Sequence, residues 1–352
     1  MAKQHPTLSI VIPALNEAAH LPYLLQDLNW QKNTQFEVIV VDGGSHDQTV
    51  NLCHQFAKSS FFKLTIAESK AGRAIQLNKG ATLSIADDLL FLHADSRLRD
   101  SSLLANAQKY ISRKRLQSGN SRLCGHFPLT FSSSPGNAAS YFFYESKTHL
   151  NKPDCINGDQ GFWIAKTYFN ELGCFDESLP YMEDARLAQK IGGDKNWLTL
   201  PGNIETSARR FESEGFANRQ ILNSFLCNFN AIGEAEYFRM AGNIYKQQDQ
   251  TNRLKLKPFL KLTHQYMLQD GIKAAVRRWY QTGSYMAGNA WQLAFAIDCL
   301  KNKKQGMTPN AEEVTVLEFY DKYLARVTNW PPVKLFAGII AIIWFYSLFI
   351  IR

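Results

Sequence analysis

The sequence lacks the cysteine pattern of a disulfide-rich or zinc-binding domain. Its six cysteines stand far apart without a C-x-x-C pair, so we expect neither a disulfide framework nor a zinc ribbon, but reduced cytosolic thiols. They are Cys53, Cys124, Cys155, Cys174, Cys227 and Cys299. The 352 residues include only 12 prolines and 21 glycines, and 45% of them are hydrophobic. This composition excludes a collagen-like or disordered chain. The protein is therefore globular, with one large domain and an extension, or two domains.

Two common nucleotide-binding signatures are also absent. No G-x-G-x-x-G follows the first predicted strand, and no G-x-x-x-x-G-K-[ST] occurs, which excludes a dinucleotide fingerprint and a P-loop. A nucleotidyltransferase would need its glycine- and lysine-containing signature where V-I-P-A-L-N-E stands, so that class is disfavoured as well. The sequence begins M-A-K-Q-H-P-T before the short apolar run Leu8 to Pro13, which is too short for a secretory signal. We therefore expect a cytosolic start.

Positive charge is concentrated in the last third of the chain. Residues 239–334 contain 15 Lys and Arg against 7 Asp and Glu, whereas residues 1–238 contain 23 against 24. This distribution argues against a nucleic-acid-binding catalytic domain and predicts a basic accessory surface with an anionic partner. Aromatic and basic residues alternate between Lys273 and Phe295, as in helices that lie in a membrane interface; packing against the catalytic domain is the alternative.

An uncharged apolar run lies near the end of the sequence. Leu335 to Ile351 contains 17 residues without a charge, which is close to the shortest helix that spans a hydrocarbon core of ~30 Å. Lys322, Arg326 and Lys334 precede it, and the positive-inside tendency places that side in the cytoplasm. We expect a membrane anchor here, and a buried core helix is the alternative.

Short apolar runs alternate with helical patterns in the first half of the chain. We predict strands at residues 8–12, 36–41, 62–67 and 89–93, and helices near residues 21–30, 49–57 and 73–86. Further on we predict a helix at 103–115, an exposed basic loop at 113–122, strands at 123–131 and 161–165, and a short helix at 184–191. This order indicates an α/β fold with a mostly parallel sheet, in which ligands bind beyond the carboxyl ends of the strands.

Polar residues follow three of these strands. The tips read P-A-L-N-E at 13–17, D-G-G-S-H-D at 42–47 and H-A-D at 93–95, and all three should meet at one crevice. A carboxylate such as Asp42 can accept hydrogen bonds from a nucleoside, although on its own it fits a turn or helix-capping residue equally well. His93 has a similar alternative, a hydrogen bond to the backbone at the strand end.

Seven motifs in this order resemble family 2 glycosyltransferases of the GT-A fold, and more narrowly a bacterial subgroup with H-A-D in place of D-x-D. They are S-I-V-I-P-A-L-N-E, V-I-V-V-D-G-G-S-H-D-Q-T, G-R-A-I-Q-L-N-K-G-A, F-L-H-A-D-S, G-D-Q-G-F, P-Y-M-E-D-A-R-L and S-A-R-R-F-E, between residues 8 and 212. The resemblance implies a nucleotide-diphosphate sugar donor, a divalent cation and displacement with inversion at the anomeric carbon. Beyond about Phe238 only a looser similarity to interfacial helices of membrane-associated relatives remains.

The resemblance also implies roles for individual residues. Asp95 would bind Mg²⁺ or Mn²⁺, which prefer oxygen ligands. Asp184 would be the catalytic base, with the alternative that it only caps its helix. The neighbouring acid Glu183 would raise the pKa of one member of the pair, so that Asp184 could work near neutral pH. The donor nucleotide would contact Pro13, Asn16, Glu17, Asp42, Arg73 and His93. Asp159, Gln160 and Glu183 would lie near the sugar or the acceptor.

The box S-A-R-R-F-E resembles a diphosphate-binding motif that usually ends in Trp, and Phe211 replaces that Trp here. Arg209 and Arg210 are the candidate phosphate ligands, because a guanidinium matches phosphate oxygens. Alternation along a strand would let only one of them face the diphosphate. For Arg73 the alternative is a surface salt bridge.

We therefore expect a GT-A catalytic domain at residues 1–238, a basic amphipathic helical membrane-associated region at 239–333 and a transmembrane or membrane-anchoring helix at 334–352. The predicted function is sugar transfer to a hydroxyl acceptor that is membrane- or lipid-linked, at the cytoplasmic face of the membrane. The alternative is a non-catalytic sugar-nucleotide-binding scaffold with a decayed site, suggested by His93 and Phe211.

Overall fold

The computed structural model describes residues 5–132, 138–193, 195–246, 248 and 254–351. The chain forms two compact units. The first consists of residues 1–134 and 144–207, and the second of residues 135–143 and 208–352. The predicted domain limit at residue 238 lies inside a helix of the second unit, Ala235–Lys246. The sequence boundaries of the two units therefore differ from those of the predicted regions. That three-part division stays a prediction.

The first unit is built on a seven-stranded sheet and a separate two-stranded one. The strands are β1 (Leu8–Ala14), β2 (Phe36–Asp42), β3 (Lys63–Glu68), β4 (Asp88–Phe91), β5 (Cys124–His126), β6 (Leu129–Phe131), β7 (Phe162–Ala165), β8 (Trp197–Thr199) and β9 (Ile204–Thr206). The large sheet has the order β3-β2-β1-β4-β7-β5-β8, and β6 pairs with β9. Strands β1 to β4 run parallel, whereas β7 is antiparallel to both β4 and β5. The mostly parallel α/β fold is thus confirmed.

Helices cover both faces of the large sheet. They are α1 (Leu21–Asn29), α2 (Thr49–Ala57), α3 (Arg73–Leu83), α4 (Leu103–Ser118), α6 (Lys166–Glu171) and α7 (Glu183–Ile191), while α5 (Ala138–Lys147) crosses between the two units in sequence. Strand β2 is buried along its whole length, which explains its continuous apolar sequence. One core forms on the α1 and α4 face and the other on the α3 and α7 face.

The predicted basic loop at 113–122 is wrong over its first half. Helix α4 continues to Ser118 and ends at Gly119, whose φ of 64° suits glycine at a helix end. Arg115 lies on the helix and donates to Asp88 at 2.7 Å and to the Leu123 carbonyl at 3.0 Å. These long-range contacts stabilise the C-terminal end of α4, for which the polar composition alone predicts a loop.

The second unit is helical. Its helices are α8 (Arg209–Glu214), α9 (Phe216–Ala231), α10 (Ala235–Lys246), α11 (Lys257–Leu268), α12 (Gly271–Gly288), α13 (Trp291–Lys304), α14 (Thr315–Phe319) and α15 (Pro331–Ile351). A π-helical turn at Tyr320–Leu324 follows α14. The predicted helical C-terminal part is confirmed.

Helix α15 contains the predicted apolar run. Among the described residues it is the one helix whose length and composition would allow it to cross a membrane, with a mean hydropathy of 2.2 over its most apolar window. Only 17% of that window is buried. A core helix would be mostly covered, so the exposure disfavours the alternative of a buried core helix.

Candidate functional site

The ends of β1 and β2 are held together at the predicted crevice. The amide of Gln76, a buried side chain of α3, donates to the carbonyl oxygens of Ala14 and Val41 at 2.8 Å each. The N–H of Gly43 also donates to the Ala14 carbonyl at 2.9 Å. Because β1, β2 and β4 are parallel, the residues that follow them lie at the same edge of the sheet.

Asp42 organises the loop after β2. Its Oδ2 accepts from the N–H groups of Gly44 and Ser45, each at 2.9 Å, and its Oδ1 accepts from Ser45 Oγ at 2.5 Å. The residue is only 3% exposed. The structure therefore supports the alternative of a turn-forming residue, and its predicted nucleoside contact stays a prediction. The sequence D-G-G-S is typical of such Asx turns, although Ser45 was not among the predicted site residues.

Loop β1–α1 joins the same network. The exposed Asn16, with φ of 56°, accepts at Oδ1 from the N–H of His46 at 2.9 Å and donates its own N–H to Ser45 Oγ at 2.8 Å. The N–H of the half-buried Glu17 donates to Thr49 Oγ1 at 2.8 Å. Pro13, also half-buried, lies within β1. The predicted donor residues of the first two strand ends are thus brought together, and their contacts with a nucleotide stay predictions.

The half-buried His93 and Asp184 meet at Gly158. A Cβ built on Gly158 would lie 3.0 Å from His93 Nε2 and 2.9 Å from Asp184 Oδ2. Glycine leaves room at this position for two polar side chains from distant parts of the sequence. Gly158 was not predicted, and its place before Asp159 and Gln160 in G-D-Q-G-F is the sequence signal that could have indicated it.

Asp184 lies in the first turn of α7, as predicted. Its Oδ2 accepts from the Gly158 N–H at 2.8 Å, and its Oδ1 accepts from the Ala185 N–H at 2.7 Å. Burial raises the pKa of this carboxyl, but the charge of Arg73, the two N–H groups and His93 outweigh it and hold the pKa below 3.8. The predicted pKa near neutrality is therefore not found on Asp184, which is ionised at pH 7.

Arg73 forms an ion pair with Glu183. The pair joins the first turn of α3 to the first turn of α7, and the Glu183 side chain is 1% exposed while that of Arg73 is 33% exposed. Burial and Asp184 raise the pKa of Glu183 despite the attraction of Arg73. The charges of Glu183, Asp184 and Asp159 raise the pKa of Arg73 against the effect of burial. The salt bridge is thus present, but it lies within the acidic cluster and not on the open surface.

Asp159 belongs to the same cluster. Burial, followed by the negative charges of Asp184 and Asp95, raises its pKa to about 7. Its Oδ1 is buried without a hydrogen-bond partner among the described residues. A raised pKa was expected on one member of the pair Glu183 and Asp184, and Glu183 has it. The pKa of Asp159, which is 25 positions from Asp184 in sequence, is raised as well and was not expected.

Gln160 is a completely buried residue, and its predicted role near the sugar or the acceptor stays a prediction. Its side-chain amide donates to the Cys155 carbonyl at 2.5 Å, and its main-chain carbonyl accepts from the Phe127 N–H at 2.9 Å. These bonds hold the 3-10 turn Gly158–Gln160 in place. Gln160 therefore supports the position of Asp159 and presents no exposed polar atom to a ligand.

The residues present fit a weakly held divalent cation. Asp95 is half-buried in the turn after β4, and its charge acts on Asp159, whose Oδ1 is unpartnered. The described residues contain no group of three or more His, Cys, Asp or Glu side chains that could hold a metal ion. A cation with one or two protein carboxylates and further ligands from substrate phosphates and water suits this set, as is usual for Mg²⁺.

Arg209 and Arg210 begin a helix, so the expected alternation along a strand is wrong. Arg209 is exposed, and the side chain of Arg210 lies outside the described residues. Phe211, which stands where Trp is usual, packs against Phe216 with 5.5 Å between ring centroids and against Tyr141 with 6.2 Å. The diphosphate role of the two arginines stays a prediction.

Curated proteins match part of the chain. It is similar to a PGL/p-HBAD biosynthesis glycosyltransferase of Mycobacterium bovis, with 37% identity over 107 residues, 30% of this chain and 42% of that protein. It is also similar to the O-antigen chain rhamnosyltransferase RfbN of Salmonella typhimurium, with 26% identity over 190 residues, 52% of this chain and 60% of that protein. The matches thus span about half the length of these relatives.

Two solved structures resemble the chain. The mannosyltransferase PcManGT from Pyrobaculum calidifontis, in complex with GDP-Man and Mn²⁺, has a TM-score of 0.48 and 18% identity, covering 97% of this chain and 88% of that one. S. aureus TarS 1–349, in complex with UDP-GlcNAc, has a TM-score of 0.49 and 15% identity, covering 86% and 92%. Both TM-scores lie below 0.5, so the assignment to a family rests on the sequence.

In sequence, residues 9–166 match the family model described as glycosyl transferase family 2. This range contains all of β1 except Leu8, β2 to β7, and His93 and Gly158, whereas Asp184 lies outside it. Residues 9–166 therefore form a family 2 glycosyltransferase domain.

Proposed function

We propose that the protein is an inverting glycosyltransferase that moves a hexose-type sugar from a nucleotide-diphosphate donor to a hydroxyl acceptor. The observation that carries this proposal is the meeting of His93 and Asp184 at Gly158, which itself lies in the family 2 domain and next to Asp159. The approach of a strand-end histidine to an ionised carboxylate supports a reacting site at this glycine. A turn or helix cap alone would not require these groups to converge.

Asp184 is the proposed base. In the transfer, the acceptor oxygen forms a bond to the anomeric carbon, the bond from that carbon to the diphosphate oxygen breaks, and Asp184 takes the hydroxyl proton. The low pKa of Asp184 keeps it ionised and able to accept a proton at neutral pH. Its two N–H partners fix the carboxylate, and Arg73 supplies a positive charge beside it.

Pro13, Asn16, Glu17 and Asp42 form the proposed nucleoside side of the site, with Ser45 as the residue that shapes it. Arg209 and Arg210 are the proposed diphosphate ligands, since arginine suits phosphate oxygens. His93 is proposed to contact the ribose or the diphosphate.

Asp95 is the proposed protein ligand of Mg²⁺ or Mn²⁺. When bound, the cation would offset negative charge on the departing diphosphate. Asp159 lies close enough to Asp95 for their charges to interact, so it would help to hold the cation when ionised.

We further propose that the protein works at the cytoplasmic face of a membrane on a membrane- or lipid-linked acceptor. Support comes from the exposed apolar surface of α15 and from the net positive charge of residues 239–334. Confinement of enzyme and lipid to one surface raises their effective concentration.

The test begins with thermal unfolding in the presence of UDP-, GDP- and dTDP-sugars with Mn²⁺, because a ligand of the native state raises the unfolding temperature. The donor identified in this way is then used to measure nucleotide release and sugar transfer for the wild type and Asp184→Asn. We expect near-normal donor binding and a turnover lowered by roughly 10²-fold or more in the variant.

The matched control is Asp154→Asn, which alters an exposed aspartate of the same unit. It should leave both binding and turnover unchanged. Donor binding without any turnover by the wild type would instead support the non-catalytic sugar-nucleotide-binding scaffold. Loss of donor binding in Asp184→Asn with unchanged turnover at saturation would show that Asp184 is not the base.

A further inference from the structure

Helix α15 exposes an apolar face along its whole length. Its buried residues are Gly338, Ala341 and Phe345, which lie on one side of the helix. The other side exposes large apolar side chains: Leu335, Phe336, Ile339, Ile340, Ile343, Trp344, Ile350 and Ile351, each at least 42% exposed. A helix of 21 residues is about 31 Å long at 1.5 Å per residue, so this face is too large for an ordinary soluble surface.

The segment before α15 carries the chemistry of a membrane interface. Phe319, Tyr323 and Trp330 are all more than half exposed. Lys322 and Arg326 are exposed among them, as are Glu318 and Asp321, so the charges of this segment balance. Exposed aromatic rings suit the headgroup level of a bilayer. Residues 239–334 as a whole contain 15 Lys and Arg against 7 Asp and Glu, and this net positive charge is complementary to an anionic lipid surface, which we take as the occupant of the apolar face.

The opposite side of α15 is fixed against α12. A Cβ on Gly283 would lie 2.2 Å from the Lys334 carbonyl oxygen and 2.4 Å from the Gly338 nitrogen, so the two helices touch backbone to backbone. Further along, the ring of Trp279 lies 5.7 Å from that of Phe345. The later residue of α12 thus contacts the earlier part of α15, which means that the helices run antiparallel.

The contact surface between α15 and α12, which we call the seam, continues onto α11. His264 Nδ1 lies 3.2 Å from Tyr346 Oη, and the His264 ring lies 5.1 Å from that of Phe349. Residues of α11 and α12 therefore contact α15 between Lys334 and Phe349. A movement of α15 across a bilayer would have to carry α11 and α12 with it or break this seam.

Charged groups lie beside the middle of α15. Arg278 is next to Trp279 in α12, is buried, and forms ion pairs with Glu234 and Asp270, the former at 2.9 Å. Arg277 is exposed, and at 3.6 residues per turn it points away from the seam through Trp279 and Gly283. If α15 spanned the bilayer in this packing, these two arginines would lie near the centre of the bilayer, where a charged side chain that faces lipid, as Arg277 would, is unfavourable.

We propose that α15 lies in the plane of the membrane interface and does not cross the bilayer. Its apolar face enters the boundary between headgroups and acyl chains, and α12 lies on the opposite side with Arg277 directed toward water. This inference rests on the proposed membrane association and specifies its geometry. It selects one of two arrangements, spanning or in-plane, both of which the length of the apolar run permits.

The test uses three positions on one face of α15. Phe336, Ile343 and Ile350 are spaced by seven residues and are 63%, 62% and 82% exposed. Each is replaced by cysteine in a background in which the half-buried Cys174 and Cys227 are serine, and each variant is spin-labelled and bound to vesicles of phosphatidylcholine and phosphatidylglycerol. Accessibility to dissolved oxygen and to a water-soluble nickel complex then gives the depth of each label.

An in-plane helix places all three labels at one depth, about 5–10 Å below the headgroups. A spanning helix places the label at 343 near the bilayer centre and those at 336 and 350 about 10 Å to either side of it, which would overturn the proposal. In cells, a green fluorescent protein fused after Arg352 should fluoresce as strongly as one fused after Trp330. Fluorescence lost only in the fusion after Arg352 would indicate translocation and would also overturn it.

Failure of membrane association gives a different result. If the apolar face then stays free, all three labels are water-accessible in the presence of vesicles. If a second copy covers the face, the labels are shielded and a soluble dimer appears in sedimentation. Either outcome refutes both the bilayer as occupant and the proposed membrane association. Sugar-nucleotide binding, measured by thermal unfolding of the same variants, tests the glycosyltransferase proposal separately.

Discussion

The N–H of Gly158 donates to Asp184 Oδ2 at 2.8 Å, and the same glycine has no space for a side chain. A Cβ at this position would come within 3.0 Å of both Asp184 Oδ2 and His93 Nε2. Gly158→Ala should therefore displace one or both groups and lower turnover by roughly tenfold or more, since a shift of about 1 Å in a reacting group can cost up to 10²-fold. Steady-state kinetics with the identified donor measures this effect.

Gly193→Ala is the control for that substitution, because a Cβ on Gly193 meets nothing within 4 Å. It should leave turnover and the unfolding temperature unchanged. Wild-type turnover in Gly158→Ala would mean that the close approach of His93 and Asp184 has no part in catalysis.

Asp95→Ala should abolish the enhancement of nucleotide binding by Mn²⁺. Asp95 is the proposed carboxylate ligand, and the described residues provide no alternative group of three metal ligands. Isothermal titration with the nucleotide diphosphate, with and without Mn²⁺, measures the enhancement. Asp87→Ala, at an exposed residue just before β4 and hence at the other end of that strand, should keep it. Full Mn²⁺ dependence in Asp95→Ala would refute the assignment.

Asp159 should make the metal-free protein less stable as the pH rises from about 4 to about 7. Its pKa is about 7 in the folded protein and 3.8 ordinarily, so across this interval the unfolded chain has released a proton that the folded protein still holds. The free energy of unfolding then falls with pH, and above pH 7 the loss is complete. Asp159→Asn should remove this contribution.

Denaturant unfolding in EDTA at pH 4.5 and pH 8 measures it. The variant should gain roughly 1–4 kcal/mol more over the wild type at pH 8 than at pH 4.5, because one pKa unit corresponds to ~1.4 kcal/mol. The exposed Asp154→Asn serves as the control and should show no such difference. An equal effect of Asp159→Asn at both pH values would contradict a raised pKa at Asp159.

Arg73→Gln should destabilise the first unit and raise the pKa of Asp184. Removal of the guanidinium leaves Glu183, which is 1% exposed, without its cationic partner. Because Arg73 is itself one-third exposed, we expect a loss of ~1–3 kcal/mol, below the usual cost of breaking a fully buried pair. Thermal unfolding measures the stability, and the acidic limb of the pH–turnover profile should move to higher pH.

Arg73→Lys retains the positive charge but not the planar guanidinium. It should fall between the wild type and Arg73→Gln in stability, and its pH profile should stay close to that of the wild type. A pH profile that does not move in Arg73→Gln would show that Arg73 only stabilises the fold and does not set the ionisation of Asp184.

Regular elements with a clear apolar period could be predicted closely from the sequence. Helix α2 was predicted at its observed limits, and β2 within one residue, because both have patterns that only one secondary structure satisfies. The convergence of Asp42 and His93 at one edge also follows from parallel strands alone. These features depend on local sequence and on the general geometry of a sheet.

Contacts between distant residues could not be predicted in the same way. Arg73 and Glu183 are 110 positions apart, and the sequence around either residue does not indicate that the other is its partner. Helix α4 extends to Ser118, and its Arg115 contacts Asp88 and the Leu123 carbonyl, partners that the polar composition of that segment does not indicate. The pKa of Asp159 depends likewise on burial and on charges brought together by folding.

The hydrogen bonds that Asp42 already accepts limit how donor choice could be re-engineered. Its carboxylate accepts three of them from Gly44 and Ser45, so a single substitution at Asp42 would disturb the loop together with any contact to a nucleobase. Residues 42–47 form one hydrogen-bonded loop, in which a change at one residue affects the others. Exchange of the whole loop between related domains is therefore the practical route to a transferase with a different donor.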